Sequence, residues 1–269
     1  ISDDGRPVEN AEMMRKALEL SKENGLLVAS HCEDLSIIDG GIMNKGEVSE
    51  KLGVKGMDRA SEDYITAREM ILAQFVDARI HICHVSTKGS TEMIRFAKSQ
   101  GVKVTCETAP HYFMFTDKLL EKRDADYRMN PPLRTDEDVK AIIEGIKDGT
   151  IDCIITDHAP HAPEEKADFE KAPNGVLGLE TSLAATLTAL YHTGEITLNK
   201  LVELMCVNPR KILGLDVPEI EKGSTADLVI ADINEKWTVD VNKLHSISKN
   251  SVFKGQTLTG KALVTISKG

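Results

Sequence analysis

Four short apolar runs, each closing on polar residues, constrain this chain most. They are Leu26–Ser30, ending at His31; Arg79–Val85; Val102–Thr105, ending near Glu107 and Thr108; and Ile151–Thr156, ending at Asp157. Between them, apolar residues recur at three- and four-residue spacing over Glu9–Asn24, Glu62–Val76, Ser90–Gln100 and Asp136–Lys147, with two further helical patterns around Leu179–Tyr191 and Leu198–Leu213. Strands that alternate with helices predict a parallel sheet with right-handed crossovers. An open doubly wound sheet and a (β/α)8 barrel both satisfy that pattern. No GxGxxG or GxxxxGK[ST] follows any of the runs, so a nucleotide-binding sheet has little support. Polar residues at successive strand ends are how a barrel builds its catalytic mouth. The predicted class is therefore a TIM-type (β/α)8 barrel. Four strands make about half of one, which reads as its C-terminal part, about strands 4–8. The chain opens at Ile1, directly on the functional-looking Ser2-Asp3-Asp4-Gly5, and the expectation is that an N-terminal part is missing.

After Leu215 the texture changes. Gly223–Ala231 reads as a turn and a strand, and short β patterns follow at Trp237–Val239, Ser251–Phe253 and Ala262–Ile266. These predict a small β-sandwich appendage, dividing the chain into a barrel part over 1–215 and the appendage over 216–269. With 41% hydrophobic residues there is enough apolar material for a sizeable core. A formal net charge of −10 without a long basic run argues against nucleic-acid binding. No apolar run is long enough to span a membrane. The five cysteines form no CxxC pair and are odd in number, which points to reduced thiols in a cytoplasm.

His31 directly follows an apolar strand, where a lone histidine is more often structural than a ligand. His84 strengthens the functional reading. In Arg79–Val85, period two puts Ile80, Ile82 and His84 on one face and His81 and Cys83 on the other. If Ile80 and Ile82 fill the barrel interior, His84 caps that column at the mouth, and His81 points to the helix layer as a structural residue. Asp157 ends the fourth run and opens Asp157-His158-Ala159-Pro160-His161. A helix N-cap is the ordinary role for such a carboxylate, but Pro160 and Pro163 disfavour an immediate helix. Two histidines and a carboxylate on successive strand ends form a divalent-metal set suited to zinc. Zinc would acidify a water into a nucleophile, and a nearby carboxylate could relay its proton. Paired Asp3 and Asp4 before glycine would by themselves mean only a turn. Asn130, in the proline-stiffened Arg128–Arg134 loop, either presents an amide to a polar substrate or belongs to a plain turn. The charged Ala162–Gly175 loop is either a lid or a solvated connector.

The strings SDDG, ASHCED, HICHVST, ETAPHY, RMNPPLR and TDHAPH, in this order, resemble the bacterial dihydroorotases of the amidohydrolase superfamily, from Ser2 to about Gly223. The resemblance implies reversible ring closure of N-carbamoyl-L-aspartate to dihydroorotate, in a barrel holding one or two zinc ions. It implies that His31 and His84 ligate a second zinc, and that Asp157 ligates the first and shuttles the proton. It implies that Asn130 and His161 bind substrate, His161 near the substrate carboxylate, and that Gly175 adds backbone contacts. Asp4, chosen over Asp3 on its spacing to His31, would replace the carboxylated lysine that bridges the metals in many relatives. That replacement favours dihydroorotases over hydantoinases and allantoinases. One departure stands out: the family's His-x-His pair, with its neighbouring arginine and asparagine, is absent from these 269 residues. The expectation is that an upstream segment carries it. Competing readings are a hydantoin, dihydropyrimidine or allantoin hydrolase, and a non-catalytic homologue that supports aspartate carbamoyltransferase. A small-molecule substrate and a homodimer are the partners expected.

Overall fold

The computed structural model describes all residues, 1–269. Its strands are β1 (Val28–Ser30), β2 (Met43–Asn44), β3 (Gly56–Met57), β4 (Ile80–Ile82), β5 (Val104–Thr108), β6 (Cys153–Ile154), β7 (Leu228–Thr238) and β8 (Thr257–Ile266). The helices before residue 150 are α1 (Ala11–Glu23), α2 (Leu35–Ile38), α3 (Glu47–Leu52), α4 (Ala60–Val76), α5 (Lys88–Ser99), α6 (Pro110–Met114) and α7 (Asp136–Asp148). All four predicted strands and the four predicted helices that alternate with them are present, with ends shifted by a few residues. Local capping explains several of the boundaries. Asn10 accepts from the Met13 N–H to start α1, Thr87 accepts from Ser90 to start α5, and Thr135 and Asp138 cap α7 reciprocally.

The main sheet is parallel, in the order β1-β4-β5-β6. Spatial order follows chain order without reversal, so each crossover steps in the same direction. A doubly wound sheet would reverse at a switch point, and a barrel wall does not. Ile1–Asp3 extend the sheet beyond β1. Ser2 bridges Ala29 in parallel, with Ala29 N–H donating to Ile1 O at 2.8 Å. The result is an open arc of barrel wall, with Asp4 at the same end as His31.

One core fills the space between sheet and helices. Val28, Ile80, Ile82, Val104 and Ile154 of the strands pack there with Met14, Leu18, Ile65, Ile94, Ile142 and Ile146 of the helices. This corrects the expectation for β4. Ile80 and Ile82 face the helices, and His81 points to the opposite, inner face of the arc. There its Nδ1 lies 2.8 Å from Thr105 Oγ1 and its Nε2 lies 3.0 Å from Glu107 Oε2. The physical reason is that the helices bury that side of the sheet in apolar contacts, so the isoleucines go there and the polar His81 to the other face.

A second core, including Met43, Tyr112, Met129, Leu133, Phe169, Val176 and Phe253, gathers the loops above the strand ends. The tail contributes β7 and β8, one antiparallel ribbon. Trp237–Val239 and Ala262–Ile266, expected as separate strands, instead fall largely within these two long ones. Ser251–Phe253 is a buried turn rather than a strand. All five cysteines are unpaired, and no helix is long and apolar enough to cross a membrane.

Candidate active site

His31 leaves the end of β1 and His84 follows β4 by two residues. They are 2% and 4% exposed. Simple alternation would point His84 outward with Ile80 and Ile82. Its φ of 35° turns it to the inner face instead. A non-glycine residue in the left-handed region is uncommon and costs conformational energy, a pattern that clusters at functional sites. Asp157 shows the same device, with φ 47°.

His31 Nδ1 and His84 Nε2 lie 2.8 Å apart. Asp4 Oδ1 is 3.6 Å from the first and 3.5 Å from the second. Two imidazole nitrogens and a carboxylate oxygen thus converge from three separate chain segments, within 4.8 Å of one another. The nitrogen of His84 that faces His31 and Asp4 is Nε2, and its Nδ1 is buried without a partner. The donor set fits zinc, which takes nitrogen and oxygen ligands. Burial opposes protonation of His84, but its hydrogen bond to Asp4 and the charges of Asp157, Asp4 and Glu107 carry it up to about 9. Burial pushes the Asp157 carboxyl up; His84 opposes this and Asp4 reinforces it.

Asp157 stands outside the tight Asp4–His31–His84 triangle but lines the same cavity. That cavity, of about 280 Å³, is also lined by Asp4, His31, Asn130, Asn174 and Gly175. Asn130 Nδ2 donates to Glu33 Oε1 at 2.8 Å. Gly175 has φ 140°, and a Cβ there would lie 2.6 Å from the Ala159 Cβ and 2.8 Å from His161 Nε2. A side chain at 175 is therefore excluded. His161 is placed one step back from the cavity. Its Nε2 lies 2.9 Å from Asn174 O, and it lines an adjoining polar cavity of about 180 Å³ with Asp124, Asp126, Lys166 and Lys249. A roomier cavity, of about 510 Å³, lies between α4 and α5. Its walls are mostly apolar and carry no comparable chemistry.

The Ala162–Gly175 loop is pinned to the body. Lys166 is buried, and its ammonium donates to the carbonyls of Ala125, Arg128 and Pro173 at 3.1, 3.2 and 2.7 Å. Arg128 Nη1 donates to Phe169 O at 2.7 Å. Sequence reasoning missed Lys166, Asn174 and Glu33. For Glu33 a signal existed: it stands two residues from His31, just past the same strand end.

A family model described as "Amidohydrolase family" matches residues 1–269. A dihydroorotase of Geobacter metallireducens is 54% identical over 270 residues, covering all of this chain and 63% of that protein. A dihydroorotase of Acetivibrio thermocellus is 50% identical with the same coverage. The chain therefore spans about 63% of the length of these relatives. Among solved structures, an L-hydantoinase (dihydropyrimidinase) from Arthrobacter aurescens superimposes with a TM-score of 0.88 at 28% identity, covering 100% of this chain and 62% of that one. A dihydropyrimidinase from Brevibacillus agri does so with a TM-score of 0.85 at 27% identity, covering 97% and 59%. Matched along its whole length, and with a chain-ordered parallel sheet that carries paired histidines at its strand ends, the chain belongs to the amidohydrolase family.

Proposed function

We propose that this chain acts as a dihydroorotase, with zinc as its metal, closing N-carbamoyl-L-aspartate to dihydroorotate and reversing that step. The observation that carries the reading is the convergence of Asp4, His31 and His84 beside the cavity that Asp157 lines. The 54% identity to the Geobacter metallireducens dihydroorotase supports the choice of substrate.

Asp4, His31 and His84 would hold the metal, and Asp157 lines the cavity beside them. Bound zinc supplies Lewis acidity and a water acidified toward neutral pH. In hydrolysis the water oxygen attacks the ring amide carbonyl and the C–N bond breaks. Asp157 takes the proton from the water and delivers it to the ring nitrogen; ring closure reverses each transfer. The burial that raises the proton affinity of Asp157 suits it to both tasks. Asn130 and His161 orient the substrate, His161 by way of the Asn174–Gly175 segment that it packs against.

The division into a barrel part over 1–215 and an appendage over 216–269, a cytoplasmic setting and a homodimer belong to the same reading. A second reading changes only the ring. The hydantoinase and dihydropyrimidinase likenesses, at 28% and 27% identity, favour it. The deciding assay offers dihydroorotate, dihydrouracil, hydantoin and allantoin to the zinc-loaded full-length protein. Turnover of dihydroorotate alone is expected. Turnover of hydantoin or dihydrouracil in its place selects the second reading. No turnover of any, with zinc bound, leaves a scaffold for aspartate carbamoyltransferase.

A further inference from the structure

Glu33 has no part in the chemistry above, yet it joins two groups that do. Its side chain is buried. Oε2 lies 3.2 Å from His31 Nε2, and Oε1 accepts from Asn130 Nδ2 at 2.8 Å. An ionised carboxylate only accepts. His31 Nε2 lies nearer to this carboxylate than to the Asn130 amide nitrogen, 3.5 Å away, so it carries the hydrogen and leaves the lone pair on Nδ1, the nitrogen that faces Asp4 and His84. A metal ligand on Nδ1 needs that tautomer, and a carboxylate behind the far ring nitrogen is the usual way to fix it. The second oxygen commits one Asn130 N–H inward, so the stiff Asn130-Pro131-Pro132 turn is tied to the same carboxylate.

We propose that Glu33 is a positioning residue with two groups to hold: it fixes His31 in its Nδ1-ligating tautomer and anchors Asn130 over the cavity. This rests on the zinc reading of the Asp4–His31–His84 cluster. A glutamine at 33 offers one acceptor and one donor end, so it satisfies His31 or Asn130 but not both.

The test measures zinc affinity of the full-length protein by chelator competition in wild type, Glu33→Gln, Asn130→Ala and His31→Ala. Zinc affinity in Glu33→Gln should fall about 10- to 100-fold, while Asn130→Ala should hold it within about twofold and raise KM. Wild-type zinc affinity in Glu33→Gln, with the fold intact, overturns the proposal. Undiminished zinc binding in His31→Ala instead overturns the reading beneath it. Should Glu33→Gln fail to fold, ¹⁵N NMR of the metal-free wild type decides. A His31 ring protonated at Nε2 alone is expected, and a proton on Nδ1 refutes the assignment.

Discussion

Glu69 offers a stability experiment whose sign and size follow from the structure. It lies on α4, fully buried at 0% exposure. Its Oε1 accepts from Arg68, through Nε at 3.2 Å and through a closer Nη2 contact, while Oε2 has no partner. Burial pushes this carboxyl from an ordinary 4.5 up to about 7; Arg68 opposes the rise and Asp3 adds to it. In the folded chain Glu69 therefore keeps its proton at pH values where the unfolded chain has lost it. The unfolded state binds fewer protons between those limits, so stability falls as pH rises through them and stays lowered above. The interval from 4.5 to about 7 corresponds to about 3 kcal/mol at the upper limit. Glu69→Gln preserves the shape and removes the titration. Urea unfolding should give nearly equal stabilities at pH 5, and a variant more stable by about 2 kcal/mol at pH 8. A variant less stable at pH 8, or a difference that does not change with pH, would refute this argument: the ionised Glu69–Arg68 pair would then be a stabilising one.

Three further tests address the site and its support. Asp157→Asn should lower turnover by about 100- to 10,000-fold with the fold retained, because asparagine also tolerates the left-handed backbone found there; near-normal turnover removes Asp157 from the proton path. Ile82→Ala should cost about 2–5 kcal/mol by opening a cavity under the helices; a cost near zero would mean that the isoleucines do not face them. Lys166→Met should cost about 1–3 kcal/mol through three lost carbonyl bonds and expose Ala162–Gly175 to limited proteolysis. Unchanged stability and unchanged resistance would make that loop an independent connector.

Much of the frame was legible because it is written in local periods. The strands before His31 and Asp157 announce themselves as apolar runs, and α1, α5 and α7 as amphipathic stripes with capping residues at their starts. His31 and His84 stood out as candidates for the same reason, since each lies within two residues of a strand end, whereas Asp4 became one only through the family resemblance. The face of β4 was not legible. Ile80-His81-Ile82 has period two whichever way it is turned, and only the packing of α4, α5 and α7 against the sheet chooses. His84 then reaches the site by breaking that period, through a backbone angle that no neighbouring residue type dictates. Sequence alternation fails there because the left-handed backbone turns the side chain to the face that the strand does not offer.

Lys166 was illegible for a different reason. A lysine in Ala162–Gly175, among Glu164, Glu165, Asp168 and Glu170, reads as solvent-facing charge, and most such lysines are. What buries this one is a set of carbonyls brought from residues 125 and 128 by the turns before Asn130, joined by that of Pro173. A buried ammonium is tolerated where acceptors replace its water, and these do, although burial still lowers its proton affinity to about 8. The consequence reaches the site. Lys166 and the Gly175 N–H share the Arg128 carbonyl as acceptor, so the segment that carries Asn174 and Gly175 is held to the loop that carries Asn130. Two walls of the cavity are therefore fastened at one carbonyl.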